Sequence, residues 1–290
     1  MKPAEFSYVA VQSVAEVLAS LEESDDARIL AGGQNLVPML NMRLVQPSLV
    51  IDINGCTELD HVTLGADGSV TLGALTRYST VEVSEVVAAR FPLLCQAVRH
   101  VGDRQVRNRG TVGGSLAQAD PSGEVPTACV ALDAEVIALS TAGERVIPVR
   151  ELFLGPYYTC LEPDELITAI RLPYRGHTVD AMVELTRRHN DYGIVVVAAS
   201  ARVLDDGRVD DVRVALGAVA QTPVLAEDVG RMLSGTELDD ATIDDAVRLV
   251  DAVIDPASDP RASADYRRHV TPIYVARALR SLREQKERSR

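Results

Sequence analysis

Apolar and polar positions in the first 55 residues follow two different periods. From Ser13 to Leu21 the apolar residues recur at intervals of three and four, which is typical of one face of an amphipathic helix with a serine N-cap. Short uninterrupted apolar runs on either side of a second helical stretch indicate buried strands. The pattern predicts a βαβ-like lobe ending near residue 55, with a helix at 13–21, a strand at 28–31, a helix at 35–44 and a strand at 49–53.

Between residues 56 and 175 short strands are mixed with helices. Turns at 65–68 and 141–143 each separate two apolar runs, so each predicts a β-hairpin. Helical spacing returns between the hairpins. We expect a second lobe of the α+β class, with hairpins at 62–74 and 135–148, helices at 80–89, 92–100 and 126–132, and a strand at 166–172.

A polar, glycine-containing step at 174–176 predicts a boundary, because a new set of apolar runs follows it. These runs indicate a three-stranded antiparallel sheet, and helical stretches follow the sheet. The elements are strands at 181–186, 195–204 and 209–216, helices at 224–233, 241–252 and 272–285, and a polar loop at 255–268. The domains expected are therefore 1–55, 56–175 and 176–290.

The composition favours a folded protein that does not bind nucleic acid and has no membrane-spanning segment. Of its 290 residues, 47% are hydrophobic, which is enough for sizeable cores. A net charge of -13 disfavours nucleic-acid binding, because phosphate backbones require a basic surface. The apolar run at 194–199 is far shorter than the roughly 20 residues of a transmembrane helix, and residues 1–5 show no signal segment. We expect a cytoplasmic protein.

Cysteine and histidine residues are scattered along the chain. They form no C-x-x-C pair and no histidine pair spaced i, i+4, which disfavours a zinc site or an iron–sulfur cluster. We predict reduced, buried thiols and no protein-bound metal. The residues are Cys56, Cys95, Cys129, Cys160, His61, His100, His177, His189 and His269.

Two similar stretches contain a Gly-Gly pair and carry the chemistry. The first glycine segment is Leu30-Ala31-Gly32-Gly33-Gln34-Asn35-Leu36, and the second is Gly110-Thr111-Val112-Gly113-Gly114-Ser115. Glycine has no Cβ, so consecutive N–H groups can turn towards an anion. One such pair alone is more often an ordinary turn between strands. Two of them suit a diphosphate.

These motifs make the sequence resemble the FAD-binding (medium) subunit of molybdenum hydroxylases, of the carbon monoxide dehydrogenase, xanthine dehydrogenase and nicotine dehydrogenase type. The resemblance covers essentially the whole chain and rests on the motifs at 31–35, 111–115, 119–126 and 190–192. It implies an α+β, two-lobed FAD-binding fold of the vanillyl-alcohol-oxidase/murein-reductase kind, with FAD between the lobes. A C-terminal domain of a three-stranded antiparallel sheet and helices would follow.

The resemblance also implies which residues contact FAD. Backbone donors of 31–35 and 111–115 would hold the diphosphate, in agreement with the chemistry of the glycines. Gln34 and Asn35 replace the commoner His-Ser pair but keep hydrogen-bonding groups, so only the role of the imidazole near the flavin is altered. The predicted contacts are Leu30, Ala31, Gly32, Gly33, Gln34, Asn35, Leu36, Thr111, Val112, Gly113, Gly114, Ser115, Ala119, Asp120, Glu124, Ile170 and Tyr192.

Several polar residues near these motifs have two interpretations. Glu124 holds a ribityl or ribose hydroxyl, or is a solvated loop carboxylate. Asp120 precedes Pro121 and is more typical of a turn cap than of a ligand contact. Tyr192 lies against the isoalloxazine ring, or is a packed core tyrosine. The basic stretch 104–109 and the arginines at 187–188 face the cofactor or a partner, or lie on the solvated surface.

The resemblance implies an electron-transfer role. Electrons from [2Fe–2S] clusters on a small partner subunit, supplied by a large molybdopterin subunit, would pass through FAD to an external acceptor, in a dimer of heterotrimers. The alternatives are a self-sufficient FAD oxidase or dehydrogenase with its own substrate pocket, and a scaffold without cofactor. The sequence leaves the substrate and the acceptor open.

Overall fold

The N-terminal part of the protein is a three-stranded parallel sheet. The computed structural model describes residues 1–288. The sheet order is β1 (Ser7–Ala10), β3 (Leu49–Asp52) and β2 (Ala27–Leu30), with α1 (Val14–Glu22) and α2 (Leu36–Asn41) as connections. The Ser13 side chain accepts the Glu16 N–H at 3.3 Å, which confirms the predicted N-cap. Strand β1 was not predicted, because its residues are largely exposed and form no apolar run.

The next sheet has five antiparallel strands. Its order is β4 (Val62–Leu64), β5 (Val70–Gly73), β10 (Leu166–Leu172), β6 (Glu135–Ser140) and β7 (Gly143–Pro148). Both predicted hairpins are present, and β10 has the predicted bounds. A separate two-stranded ribbon, β8 (Phe153–Gly155) with β9 (Tyr158–Thr159), leads into β10.

Seven helices accompany this sheet. They are α3 (Tyr78–Val83), α4 (Glu85–Arg90), α5 (Pro92–His100), α6 (Arg104–Arg109), α7 (Val112–Gln118), α8 (Glu124–Leu132) and α9 (Val149–Leu152). One predicted helix is divided in two, and α6, α7 and α9 were not predicted. The single helix predicted at 80–89 is two helices, because Ser84 is extended and its side chain caps α4. The basic stretch 104–109 is helix α6, which Asp103 caps by accepting the Val106 N–H at 3.0 Å.

The C-terminal sheet has four antiparallel strands rather than three. Its order is β11 (Thr178–Leu185), β12 (Val195–Val203), β13 (Val209–Gly217) and β14 (Val224–Leu225), followed by α10 (Glu227–Leu233), α11 (Asp240–Val247) and α12 (Ala264–Arg288). Strand β14 replaces the start of the helix predicted at 224–233, because it pairs with β13. Helix α12 starts within the predicted loop 255–268 and contains Pro272, where the sequence predicted a helix start.

The hydrophobic core joins the last two sheets through α5 and α8. The apolar face of the C-terminal sheet, including Met182 and Val196, belongs to the same buried cluster as Leu94 of α5 and Val125 of α8. Gln96 pairs with the backbone of β11, since its amide donates to Asp180 and accepts from Met182. Within residues 1–288, no helix has the length and apolarity that a membrane crossing requires.

Candidate functional site

The two glycine segments meet in a cleft of about 720 Å³. Gly32 lies directly against the second segment: a Cβ on Gly32 would be 2.2 Å from the Arg109 carbonyl oxygen and 3.0 Å from the Gly110 Cα. A Cβ on Gly114 would lie 3.8 Å from that of Ala31. The structure therefore brings together two segments that are about 80 positions apart in the chain.

The first glycine segment is a strand–turn–helix connection. Gly33 adopts φ +73, a backbone conformation that other residues rarely take, and it turns the chain from β2 into α2. Asn35 stands at the N-cap position but makes no side-chain capping bond. The Gln34 side chain folds back and donates to the Gly32 carbonyl at 3.1 Å. The first N–H groups of α2 therefore have no side-chain cap and lie at the cleft.

The second glycine segment is a helix N-terminus, whereas the sequence predicted a turn. The Thr111 hydroxyl caps α7 by accepting the Gly114 N–H at 3.2 Å. Gly113 is in the first turn of α7 and faces the loop that precedes α3. A Cβ on Gly113 would be 2.6 Å from the Ala74 Cβ in that loop. The segment forms a helix because its cap and the packing of Gly113 outweigh the low helix propensity of glycine. The N–H groups of residues 112–115 are all paired within the protein, so this helix end offers the cleft the positive end of its dipole rather than the predicted free backbone donors.

A half-buried arginine links the two segments, and the sequence analysis missed it. Arg77 donates to the Arg109 carbonyl oxygen and, at 2.5 Å, to the Asn54 Oδ1. Asn54 in turn donates to the Ala31 carbonyl oxygen at 2.8 Å. Burial lowers the pKa of Arg77, and the neighbouring Arg109 lowers it further. No spacing in the sequence indicates this link, because its members come from three separate connections.

Two carboxyl groups lie where the chain enters α8. Asp120 caps a turn, since its Oδ1 accepts from the Ser122 N–H at 2.9 Å and from the Ser122 hydroxyl at 2.8 Å. Glu124 is the first residue of α8. Burial, and then the charge of Glu184, raises its pKa to about 8. At neutral pH its carboxyl group is therefore mostly protonated and can donate as well as accept a hydrogen bond.

Tyr192 lies at the mouth of the cleft and is 49% exposed, so the alternative of a packed core tyrosine is wrong. Asn190, with φ +63, turns the preceding backbone. The Arg261 guanidinium lies 4.5 Å from the centre of the Tyr192 ring. The tyrosine is thus placed beside a cation at the edge of the cleft.

Most of the predicted contact residues line the cleft. Those that do are Ala31, Gly32, Gly33, Gln34, Asn35, Leu36, Thr111, Gly113, Gly114, Ser115, Asp120, Glu124 and Tyr192. Leu30, Val112, Ala119 and Ile170 do not line it. Val112 and Ile170 are fully buried in the core and Ala119 is nearly so, which places them behind the cleft wall.

One wall of the cleft was not predicted at all. The ribbon β8–β9 and the chain after it supply aromatic and apolar groups, including Tyr157, Tyr158 and Ile167. The Tyr157 N–H donates to the Ala119 carbonyl oxygen at 2.9 Å, which ties this wall to the end of α7. The adjacent tyrosines are both mostly exposed and so add an aromatic patch to the cleft, but their exposure is visible only in the structure.

Within residues 1–288, no three His, Cys, Asp or Glu side chains are grouped so that they could hold a metal ion. The cysteines are free thiols; Cys56, Cys95 and Cys129 are buried, and Cys160 is partly buried. Burial raises the pKa of the Cys129 thiol to about 12, so it is not a thiolate at neutral pH.

The cleft suits a dinucleotide. Its volume is in the range of cofactor pockets, about 300–1,000 Å³. Two glycine segments meet at its base, the first with an uncapped helix start, and aromatic and apolar groups line much of the remainder. This combination defines a class of proteins that bind a diphosphate-bearing cofactor with a flat ring system.

Comparisons with known proteins identify the family. Residues 4–175 match the FAD binding domain in molybdopterin dehydrogenase, and residues 180–282 match the CO dehydrogenase flavoprotein C-terminal domain. The chain belongs to the family of FAD-binding subunits of molybdenum hydroxylases, and FAD is its cofactor. It is a flavoprotein subunit of a multi-subunit oxidoreductase. The resemblance inferred from the sequence is confirmed.

Individual relatives match this chain over nearly their whole lengths. The chain is 37% identical to the glyceraldehyde dehydrogenase medium chain of Sulfolobus acidocaldarius, covering 97% of this chain and 100% of the relative. It is 35% identical to the carbon monoxide dehydrogenase medium chain of Afipia carboxidovorans, covering 96% and 97%. Among solved structures, quinoline 2-oxidoreductase from Pseudomonas putida 86 matches with a TM-score of 0.93 at 34% identity, covering 99% of each chain.

Proposed function

We propose that the protein carries electrons from iron–sulfur clusters on a partner subunit, through FAD bound in the cleft, to an external acceptor. The observation that supports this best is the match to medium chains over 96–97% of this chain and 97–100% of the relatives. The same proposal places the protein in the cytoplasm, in a dimer of heterotrimers with a small [2Fe–2S] subunit and a large molybdopterin subunit. Bound FAD supplies the ability to exchange one or two electrons.

In this proposal the two glycine segments hold the diphosphate. The uncapped first turn of α2 presents N–H groups at the cleft, and α2 and α7 both direct the positive end of a helix dipole towards it. Arg77 and Asn54 fix the distance between the two segments through the Ala31 and Arg109 carbonyl oxygens. The arrangement is therefore set before the cofactor binds, which lowers the entropy cost of binding.

Glu124 contacts a ribityl or ribose hydroxyl in this proposal. A neutral carboxyl group can both accept a hydrogen bond from a hydroxyl group and donate one to it, whereas a carboxylate can only accept. The pKa of about 8 supports this role, because an ionised side chain in a pocket near a diphosphate would repel it. Asp120 contributes by shaping the turn that places Glu124 at the start of α8.

Tyr192 covers one part of the flavin ring and controls access to it. The replacement Tyr192→Ala should change the rate of flavin reoxidation by about tenfold while the Kd for FAD changes less than about threefold, because half of the side chain is solvent-exposed. Stopped-flow reoxidation and flavin fluorescence measure the two quantities. Tyr266→Ala, at 46% exposure on α12, is the matched control. A large loss of bound FAD would contradict this role for Tyr192.

The experiment that tests the function compares the chain alone with the chain in its complex. The isolated chain should bind FAD but show no bleaching of the flavin absorbance with aldehydes, purines or N-heterocycles. Co-purification with one chain that contains eight cluster cysteines and one that binds molybdopterin should restore bleaching by a substrate of the large subunit. Substrate-driven bleaching of the isolated chain would instead support the self-sufficient oxidase.

A further inference from the structure

A second, open concavity adjoins the mouth of the cleft beside Tyr192. We call it the arginine concavity; its volume is about 510 Å³, and it is lined by Arg187, Arg188, Asp191, Pro260 and Arg261. Asp191 lines both this concavity and the flavin cleft. A molecule bound here would therefore lie next to the cofactor site.

The side chains of the three arginines make different contacts. Arg187 donates to the Pro260 carbonyl oxygen at 3.2 Å. Arg261 lies over the Tyr192 ring, and its Nη1 donates to Asp259 Oδ2 at 3.4 Å. The Arg188 side chain is exposed and has no hydrogen-bond or ion-pair partner among residues 1–288. Most of the guanidinium N–H groups in the concavity are thus free to bind a ligand.

The loop that carries Arg261 is anchored by a buried charge. Asp259 accepts the N–H groups of Arg261 at 2.8 Å and Ala262 at 2.9 Å, and it pairs with the buried Arg267 at 2.9 Å. Arg267 also donates to the Ile194 and Ala218 carbonyl oxygens of the C-terminal sheet region. Asp259 therefore lies between two arginines, Arg261 at 3.4 Å and Arg267 at 2.9 Å, and this group of three side chains keeps a net positive charge.

The concavity is a basic site on an acidic protein. The chain has a net charge of -13, yet three arginines here face one carboxylate, Asp191, whose Oδ1 also accepts the Tyr192 N–H at 2.9 Å. The surrounding acidic surface repels anions, and a recess of opposite sign concentrates them locally. Guanidinium groups match phosphate oxygens with paired hydrogen bonds. A recess of this size suits a small molecule better than a protein surface.

We propose that the arginine concavity binds a phosphate or diphosphate group of the external electron acceptor, so that the acceptor is a phosphate-bearing anion of the nucleotide class. This inference rests on the proposed electron-transfer function and names the acceptor class that the function left open. Asp191 and Tyr192 lie between the bound phosphate and the flavin cleft. Arg187, Arg188 and Arg261 hold the anion, and the reacting end of the acceptor extends over Tyr192 towards the cleft.

Calorimetric titration of the FAD-loaded chain with inorganic pyrophosphate and with ADP tests the proposal. Loading with FAD prevents either probe from entering the diphosphate site. The double variant Arg187→Gln/Arg188→Gln should bind both probes at least about tenfold more weakly than the natural sequence. The control is Arg231→Gln/Arg248→Gln, two exposed arginines that pair with Asp228 and Asp245 far from the concavity. The control should bind as the natural chain does, and adenosine should bind to neither.

The outcomes separate this inference from the proposed function. Flavin absorbance of each sample reports FAD content, so failure to hold FAD would contradict the proposed function, whereas full FAD content with unchanged pyrophosphate affinity in the double variant overturns this inference. Adenosine binding as tight as ADP binding would also overturn it. Arg188→Gln alone, which removes a side chain without partners, covers the case in which the double variant does not fold. Normal ADP binding with loss of complex assembly would show that the arginines contact a partner subunit instead.

Discussion

The two glycine segments look alike in the sequence but differ in structure. The first turns a strand into a helix, and Gly33 makes this turn with φ +73. The second begins a helix, has no residue with positive φ, and depends on the Thr111 cap. The Gly-Gly pattern therefore has two physical causes: a backbone conformation in the first segment, and close packing with a helix cap in the second.

The two segments also depend on each other. Position 32 requires glycine because the Arg109 carbonyl oxygen lies where a Cβ would be. Position 113 requires glycine because Ala74 lies where its Cβ would be. Gly114 is a third case, because its Cβ would be 2.6 Å from the Thr111 hydroxyl. In three of the four glycines of the two Gly-Gly pairs, the missing Cβ therefore makes room for protein atoms. The contact between the segments forms the cleft. Different variants can test this contact and the backbone conformation of each segment independently.

The largest effect is expected for Gly32→Val, which breaks the contact between the segments. Its Cβ would collide with backbone rather than with a flexible side chain, so the segments must separate, with a destabilisation of about 1–3 kcal/mol. We expect FAD to be lost on gel filtration, while the C-terminal domain remains folded. Gly155→Val is the control, because a Cβ on Gly155 would have no atom within 4 Å. Equal flavin content in the two variants would disprove the contact between the segments.

Gly33→Val tests the backbone conformation of the first segment alone. A residue with a branched side chain at φ +73 costs about 1–2 kcal/mol, and we expect the Kd for FAD to rise about tenfold. Gly33→Asn should bind more tightly than Gly33→Val, because asparagine tolerates the left-handed region. Fluorescence titration with FAD measures both. Identical affinities would show that the conformation of Gly33 is not what the segment requires.

Glu124→Gln tests the carboxyl group that follows the second segment. The pKa of Glu124 is raised to about 8 from an ordinary 4.5, so between these values the folded protein holds a proton that the unfolded chain has lost. Glu124 therefore makes stability fall as pH rises from about 4.5 to 8, by at most about 1.4 kcal/mol per pH unit, with no further loss above that.

In the variant Glu124→Gln this contribution disappears. Urea unfolding at several pH values should show the variant gaining stability relative to the natural chain towards pH 8. The exposed Glu144, on β7, provides the control Glu144→Gln. Parallel pH profiles of the natural chain and Glu124→Gln would mean that Glu124 ionises normally.

The smallest effect is expected for Thr111→Ala, which removes the cap of the second segment. The loss of an N-cap costs about 1 kcal/mol, and FAD affinity should fall only a few-fold because the uncapped start of α2 is unchanged. Thr111→Ser keeps the hydroxyl and should behave as the natural chain. Chemical unfolding and FAD titration of the three proteins test this. A Thr111→Ala protein as stable as Thr111→Ser would show that the capping bond contributes nothing.

The strands and hairpins that are closed by local turns were predictable from sequence. The hairpin around 65–68 and the Ser13 cap depend on neighbouring residues, and strand 166–172 has a largely apolar run of its own; all were found. Strand β14 was not found, because two residues are too few to form a pattern and the strand exists only by pairing with β13. The early start of α12 was not found either, because this helix packs against β11 and β12, far earlier in the chain. Tertiary contacts override local preference at such places.

The same division holds for the site. The sequence determined the chemistry, since the glycines, Thr111 and Tyr192 belong to motifs that can be recognised in one dimension. Only the tertiary structure decided that Gly32 lies against Arg109, that Arg77 and Asn54 link the segments, and that Ile170 belongs to the core instead of the cleft. The physical reason is that local motifs encode backbone geometry and donors, whereas the distance between two segments is set by the packing of everything between them.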